Sequence, residues 1–243
     1  MKFLLKFCLG FNLLSLVSVS AWAQDDDIYE YTSEFVWGIN KNTNGGLIGG
    51  LIFRHSKLID EDVFRTIGWE LMNVKHPQEY RFNSFTGNSF IWAKEHYLYS
   101  IRFQYGRNWV IFKKAPQQGV QIDVNIAGGP TLGIEAPYYI EIQTGVSSRE
   151  KVAFDPKKHG NSFNTIIGTG GLFQGLGESD LELGLNFKTG LSFEFGTFKS
   201  NVTGFEVGFQ LEAFPRKIIL VPFADNRSFY SSVFLTLFYG SRK

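Results

Sequence analysis

The sequence predicts an all-β chain that folds as an antiparallel transmembrane β-barrel of about eight to ten strands. Three observations predict it: apolar and polar residues that alternate with a period of two, an export signal at the N-terminus, and no cysteine beyond that signal. The clearest alternation spans 181–195, where every odd position except Thr189 is Leu or Phe and every even position is polar, charged or glycine. Successive side chains of a strand leave opposite faces, so this segment has one apolar and one polar face. That division suits lipid on one side and a polar lumen on the other.

Segments of about ten alternating residues recur along the chain, which is the length that a tilted strand needs to cross a bilayer. The candidate strands are 33–41, 47–56, 63–74, 95–105, 119–128, 131–142, 181–188, 190–198, 203–213 and 228–240. Residues 108–113 could extend the fourth strand, and 181–195 could be one long strand or a hairpin turning at 188–190. An even strand number is favoured for a single-chain barrel. Two long connections, 76–93 and 145–164, and a glycine-rich segment, 166–177, separate the strands; long loops of such barrels usually lie outside the cell.

The N-terminus has the pattern of a cleaved signal peptide. Lys2 and Lys6 precede a mostly apolar stretch, 9–19, and Ala21-Trp22-Ala23 is an A-x-A cleavage site. A transmembrane anchor is the alternative, but the stretch is short and only Asp25-Asp26-Asp27 follows it. We therefore predict a signal peptide over 1–23 and one barrel domain over 24–243. Cys8 lies inside the signal, too early to be acylated, so the mature chain can form no disulfide.

Composition favours strands over helices and disfavours nucleic-acid binding. The chain has 25 Phe, 10 Tyr, 5 Trp and 26 Gly, and removing Lys2 and Lys6 from its 24 basic residues leaves 22 against 23 acidic ones. Aromatic residues near strand ends suggest the girdles of a membrane barrel, although an aromatic core of a lipocalin-like soluble barrel is an alternative. These aromatic residues are Trp37, Trp69, Trp92, Tyr97, Tyr105, Trp109, Tyr138, Tyr139, Phe229, Tyr230 and Tyr239.

The polar faces carry charged residues that we predict to face the lumen. They are Glu70, Arg102, Asp123, Glu135, Glu141, Glu182, Lys188, Glu194, Glu206 and Glu212. Isolated buried charge is costly, so such groups usually pair across a small barrel. The alternative is a narrow cation-preferring pore lined by carboxylates. The expected role is therefore structural or the passage of small solutes or ions.

No residue pattern predicts catalysis, a metal or a cofactor. The histidines are His55, His76, His96 and His159, and neither a G-x-S-x-G motif nor metal-ligand spacing occurs. Residues 168–171 lack the Lys-Ser/Thr ending of a phosphate-binding loop. We expect no enzyme activity. The alternatives left open are a lipid-modifying barrel enzyme and a soluble periplasmic barrel that binds an apolar ligand.

Four fragments make the whole mature chain resemble the small outer-membrane β-barrel proteins of Bacteroidota. They are 42–50 (NTNGGLIGG), 73–77 (NVKHP), 128–130 (GGP) and the ending 238–243 (FYGSRK). The resemblance implies insertion into the cell outer membrane, with membrane lipid and the barrel-insertion machinery as partners and no assigned activity. One departure is that typical barrels end on an aromatic residue, whereas here 240–243 follow Tyr239.

Overall fold

The structure is a computed structural model that describes residues 31–46, 49–114, 119–145, 148–160, 163–171, 174–195 and 200–243. The predicted signal peptide, 1–23, lies outside the described residues, so the signal and its cleavage stay predictions. Within these ranges, no helix has the length and apolar character that crossing a membrane would require.

Strands make up most of the described residues. In order they are β1 (Ser33–Asn42), β2 (Gly50–Asp60), β3 (Val63–Val74), β4 (Arg81–Asn83), β5 (Ser89–Ile91), β6 (His96–Phe112), β7 (Gln121–Pro137), β8 (Tyr139–Gln143), β9 (Arg149–Ala153), β10 (Ile166–Thr169), β11 (Asp180–Phe195), β12 (Asn201–Ala213) and β13 (Phe229–Arg242). Among the described residues, the helical elements are a four-residue helix, α1 (Pro156–His159), and two 3₁₀ turns, Phe163–Thr165 and Leu176–Glu178.

Eight long strands form a closed barrel in the order β1-β13-β12-β11-β7-β6-β3-β2, and β2 pairs with β1 to close it. Every neighbouring pair is antiparallel. The prediction of an antiparallel barrel is therefore confirmed, with the strand number at the lower end of the predicted range.

The ten candidate strands reduce to eight because two pairs of them merge. Candidates 119–128 and 131–142 are mostly one strand, β7, in which 128–130 continues extended because β11 pairs with it throughout, Pro130 opposite Leu185. Candidates 181–188 and 190–198 are likewise one strand, β11, as far as Phe195, and residues 196–198 lie outside the described residues. The segment 188–190 is no turn because β12 pairs through it. The suggested extension of the fourth strand over 108–113 is real, since β6 runs to Phe112.

The two ends of the barrel differ. At one end, which we call the turn end, short connections join β2 to β3, β6 to β7 and β11 to β12, and both ends of the described chain lie there. At the other, the loop end, lie the described parts of the connections 43–49, 75–95, 138–179 and 214–228. The closure at the turn end extends past β13, because Lys243 donates its N–H to the Ser33 carbonyl at 2.9 Å. The residues after Tyr239 are therefore part of the barrel wall.

The barrel wall alternates between buried and exposed residues, and the exposed ones are large and apolar. In β13, for example, Val233, Leu235, Leu237 and Tyr239 are exposed while Ser232 and Thr236 are buried. One row of paired positions across five strands is entirely aromatic on the outside and comprises Tyr239, Trp37, Phe53, Trp69 and Phe103. Such cross-strand aromatic pairs stabilise a sheet. Most polar residues of these strands thus face the interior, together with a few apolar ones such as Val36, Ile52 and Phe238, and most large outward residues are apolar.

The connections at the loop end fold into an apolar core that we call the cap. The buried members of the cap are Val74, Phe90, Ile91, Ala93, Leu98, Tyr138, Ile140, Phe154, Ile166, Phe214, Ile218, Leu220, Val221 and Tyr230. Strands β8, β9 and β10 form a separate sheet there, and β4 pairs with β5. Four residues expected in the outer aromatic girdle, Trp92, Tyr97, Tyr138 and Tyr230, instead belong to the cap or pack against it. The girdle assignment is wrong for these four because long loops supply a second core.

Candidate functional site

The structure places most of the predicted lumen charges inside the barrel. The buried ones are Glu70, Arg102, Asp123, Glu135, Lys188, Glu194, Glu206 and Glu212. Glu182 is half-buried at the loop end of β11. Glu141 corrects the prediction: it lies on β8, which pairs with β9 and β10 outside the barrel wall, because the barrel strand β7 ends at Pro137.

A chain of ion pairs crosses the middle of the barrel. We call it the central ion-pair chain, and its members in order are Arg54, Glu206, Lys188, Glu70, Arg102 and Glu212. The successive N–O distances are 2.7, 3.4, 2.6, 3.5 and 2.7 Å. Bases and acids alternate and balance, so the chain carries no formal net charge.

Three of the five pairs span the interior, whereas the pairs of Glu70 with Arg102 and of Glu206 with Lys188 join neighbouring strands of the wall. Arg54 on β2 meets Glu206 on β12, and the shorter way round the wall between these strands passes β1 and β13. Lys188 on β11 reaches Glu70 on β3 past β7 and β6. Each member of the chain is at least nine-tenths buried. The side chains therefore tie opposite walls together.

Other groups complete the middle layer of the interior. The Gln210 amide, oriented with its nitrogen toward Glu70 Oε2 (3.2 Å), accepts a hydrogen bond from Arg102 Nη1 (3.0 Å). Lys188 Nζ lies 4.3 Å from the centre of the Phe234 ring. A cavity beside Arg54 and Lys188 measures about 10 Å³, which is room for one water molecule. Eight strands enclose an interior that side chains can fill, and here they do so.

A second charged cluster occupies the turn end. Arg242, near the C-terminus, pairs with Glu34 at 2.8 Å and with Glu194, and stacks on the Tyr31 ring with its guanidinium carbon 3.8 Å from the centroid. Lys114 Nζ also reaches Glu194, at 2.6 Å. This cluster links β1, β11 and β13 at the point where the chain closes the barrel.

Asp123 is held by amides. Its carboxylate accepts hydrogen bonds from Gln121 Nε2 at 3.0 Å and from Asn108 Nδ2 at 3.3 Å. Gln121 also donates to the Tyr31 hydroxyl, at 3.2 Å. Asp123 is therefore joined to the turn-end cluster through neutral groups.

Sequence reasoning missed the two arginines that complete these clusters. Arg54 ends a stretch of sequence that is apolar on both faces of the strand. Only its spacing of two residues from the buried Ile52 on β2 indicates that it faces inward. Arg242 lies in the ending that departs from the usual terminal aromatic, and its register with Glu34 is set by strand pairing. In both cases the missing information is which strand lies opposite.

The Asn186 side chain compensates for a gap in the backbone hydrogen bonds between β6 and β7. Pro130 has no N–H to donate, and the pairing between β6 and β7 is interrupted between Arg102 and Tyr105. The Asn186 amide nitrogen lies 3.0–3.2 Å from the carbonyls of Phe103, Gly129 and Pro130 and 3.0 Å from Thr131 Oγ1. Its oxygen accepts from Gln104 Nε2, at 3.2 Å. The side chain thus supplies donors that the backbone lacks.

The cap covers the loop-end mouth of the barrel. Arg216, in the connection from β12 to β13, bonds Glu135 Oε1 at 2.5 Å and Glu182 Oε2 at 2.9 Å. Phe214 packs so closely on the wall that a Cβ added at Gly133 or Gly184 would lie 2.8 Å from its ring. Arg216 and the Phe214 ring therefore close the interior at the loop end.

The histidines are dispersed. His55 is exposed on the outside of β2 and the adjacent Ser56 is buried inside, so the two side chains lie on opposite sides of the wall. His76 Nε2 and His96 Nδ1 lie 3.1 and 2.9 Å from backbone carbonyls, and His159 Nδ1 accepts the Asp155 N–H. In the described ranges, no group of three or more His, Cys, Asp or Glu is placed to hold a metal ion.

No protein-family model matches the sequence, and no curated protein is similar to it. The structure is similar to the attachment invasion locus protein Ail of Yersinia pestis, solved with the heparin analogue sucrose octasulfate (8% identity, TM-score 0.39, 88% of this chain and 100% of Ail). It is also similar to Neisserial surface protein A (11%, 0.39, 88% and 96%) and to the N-terminal β-barrel domain of Pseudomonas aeruginosa OprF (6%, 0.38, 88% and 98%). These values are too low to support a conclusion about function, and the resemblance to Bacteroidota proteins stays a prediction.

Proposed function

We propose that the protein is an outer-membrane β-barrel with a filled, non-conducting interior, whose role is structural: it holds the cap at the outer surface of the cell. The observation that carries this proposal is the inverted distribution of residues, with charges buried inside the barrel and large apolar side chains exposed outside it. A soluble barrel has the opposite arrangement, with its apolar residues inside.

The exposed apolar surface supports a membrane location. Large side chains such as Trp69, Leu183 and Leu237 are more than half exposed. Soluble monomers rarely expose large contiguous apolar surfaces, whereas a membrane barrel needs such a band around its outside. In bacterial barrels the short turns face the periplasm and the long loops face outward, which would place the cap outside the cell.

The filled interior supports a structural role over a pore. The central ion-pair chain is neutral and occupies the middle of the barrel, and Arg216 and Phe214 cover its mouth. The proposed role is not enzymatic. The histidines contribute no support for a lipid-modifying barrel, since His55 and Ser56 face opposite sides of the wall.

A charge on the outer face tests the membrane location. Leu235 lies on the outside near the middle of β13. We expect Leu235→Arg to lower the free energy of unfolding by about 2–4 kcal/mol for protein refolded into lipid vesicles, because an arginine at the bilayer midplane is costly. The measurement is equilibrium unfolding in urea, followed by tryptophan fluorescence.

Ser231→Arg is the matched control, because Ser231 is also exposed on β13 but lies near the loop end. We expect it to change stability by about 1 kcal/mol or less, since the cost of a charge falls toward the interface. In cells, the wild type should stay in the membrane fraction after carbonate extraction and show heat-modifiable gel migration. Release by carbonate or high salt as a soluble protein would contradict the location.

Conductance in planar bilayers tests the filled interior. We expect the wild type to give no steady ion current, because the central ion-pair chain crosses the middle of the barrel and the cavity beside Arg54 has room for only one water molecule. Glu206→Gln should leave this result unchanged. A steady current whose cation selectivity falls in Glu206→Gln would instead identify a carboxylate-lined pore.

A further inference from the structure

A pocket of about 270 Å³ lies at the loop end, between the β1–β2 hairpin and the chain that follows β3. One side is formed by Thr43, Asn44 and Gly45, and the other by Lys75, His76, Pro77, Glu79, Arg81 and Ile91. The exposed apolar residues Ile39 and Leu71 lie near the adjoining ends of β1 and β3. The pocket therefore lies near the loop-end edge of the apolar outer face.

Hydrogen bonds hold the two sides of the pocket together. The Lys75 N–H donates to the Asn44 carbonyl at 2.7 Å, and Asn44 Nδ2 donates to the Ser231 carbonyl at 2.9 Å. His76 Nδ1 accepts the Gln78 N–H, so its Nε2 carries the proton and donates to the Asp225 carbonyl at 3.1 Å. A pocket with fixed walls pays little ordering cost when it binds a ligand.

Two cationic side chains that line the pocket have no carboxylate partner among the described residues. Glu79 Oε1 accepts from Lys94 Nζ at 2.7 Å and from the His76 N–H at 2.9 Å, so Lys94 balances the charge of Glu79. Lys75 and Arg81 also line the pocket, and neither makes an ion pair with a carboxylate of the described chain. A Cβ added at Gly46 would lie 2.9 Å from Lys75 Nζ, which places this ammonium against the hairpin.

We propose that this pocket binds a phosphate monoester group, with Lys75 and Arg81 as its cationic partners. A monoester carries close to two negative charges and three acceptor oxygens, which matches one ammonium and one guanidinium. The Arg81 fork can donate two parallel hydrogen bonds to such oxygens, while Lys75 acts as a point charge. The pocket is larger than phosphate, so it also accommodates part of the molecule to which the phosphate is esterified.

The phosphate could belong to a membrane-lipid headgroup or to a soluble ester. A lipid source rests on the proposed membrane location, because it needs the pocket at the lipid surface. Binding of inorganic phosphate does not depend on the location. Failure of the pocket proposal is therefore distinguishable from failure of the proposed function, which Leu235→Arg, extraction and conductance test separately.

The experiment follows the backbone amide resonances of Asn44, Gly45 and His76 in protein folded in zwitterionic detergent micelles. One arm adds inorganic phosphate at constant ionic strength. The second adds micelles containing phosphatidic acid, a phosphomonoester lipid, and the third adds equal amounts of phosphatidylglycerol, a phosphodiester. We expect saturable shifts in at least one of the first two arms. Comparable affinity for inorganic phosphate would indicate a soluble ester, and a response to phosphatidic acid alone would indicate a lipid headgroup.

Lys75→Gln and Arg81→Gln should each weaken this binding about tenfold, as expected for the loss of one charge-assisted hydrogen bond. Lys217→Gln is the matched control, since Lys217 is an exposed lysine at the same end of the barrel. It should leave the affinity within about twofold. Heat-modifiable migration verifies that each variant is folded. The proposal is overturned if neither phosphate probe shifts these amides, if phosphatidylglycerol acts as strongly as phosphatidic acid, or if Lys217→Gln loses as much affinity.

Discussion

Glu70→Gln is expected to lower the free energy of unfolding of the barrel by about 3–5 kcal/mol, the usual cost of removing one partner from a buried ion pair. Glu70 bridges two cations, with Lys188 Nζ at 2.6 Å and Arg102 Nη1 at 3.5 Å. Glutamine keeps the shape but removes the negative charge, so the central ion-pair chain is left with a net positive charge inside the barrel. The measurement is equilibrium unfolding in urea of protein refolded into lipid vesicles.

Glu182→Gln is the control for Glu70→Gln, because Glu182 also pairs with an arginine but the side chain of that arginine, Arg216, is 47% exposed. The Glu182→Gln substitution should lower the free energy of unfolding by about 1 kcal/mol or less. Adding Lys188→Gln to Glu70→Gln removes the uncompensated cation, so the double variant should be more stable than the sum of the single losses by at least about 1 kcal/mol. If Glu70→Gln lowers the free energy of unfolding no more than Glu182→Gln does, the central ion-pair chain stabilises the barrel no more than an exposed ion pair.

Asn186→Leu should destabilise the barrel by about 3–6 kcal/mol, because three hydrogen bonds are lost and each buried polar group left without a partner costs about 1–3 kcal/mol. The Asn186 amide serves the carbonyls around Pro130, where the β6–β7 pairing is interrupted, and accepts from Gln104. Leucine has nearly the same size, so the loss would reflect hydrogen bonding and not a cavity. The same urea unfolding measures it.

Asn125→Leu is the matched substitution for Asn186→Leu. Asn125 is also buried and inward on β7, but its Oδ1 accepts no hydrogen bond in the described structure. Its replacement should cost about 1 kcal/mol or less, because replacing a polar group whose bonds are not made is close to neutral. If Asn186→Leu and Asn125→Leu lower the free energy of unfolding equally, any buried polar residue inside the barrel has this effect. The hydrogen bonds of Asn186 around Pro130 would then have no special role.

The alternation of the sequence was sufficient to predict most of the wall. Strands β12 and β13 match the candidates 203–213 and 228–240 to within two residues, because period-two alternation continues to their ends. The prediction failed where a local signal competed with pairing. The Gly128-Gly129-Pro130 segment resembles a turn, yet it lies within β7 because β11 pairs through it and Asn186 supplies donors.

The cap could not be predicted, since its core is built from residues far apart in the chain. The sequence around Tyr138 does not indicate that this residue belongs to the cap. Its hydroxyl accepts a hydrogen bond from the Ile91 N–H at 2.9 Å, although the two residues are 47 positions apart. The prediction that Glu141 faces the lumen is wrong because the alternation of β7 continues past Pro137 into β8, which belongs to another sheet. Period-two alternation identifies a strand but not the sheet to which the strand belongs.

By itself, the sequence determined that the chain is a β-barrel, which residues of each wall strand share a face, and that one face is apolar and the other charged. These properties depend on neighbours along one strand, because alternate side chains must leave opposite sides. Only the tertiary structure decided the number of strands, the partners of each interior charge and the place of the cap. Arg54 meets Glu206, and Arg242 meets Glu34, because closure of the barrel sets the register of strands that are distant in sequence.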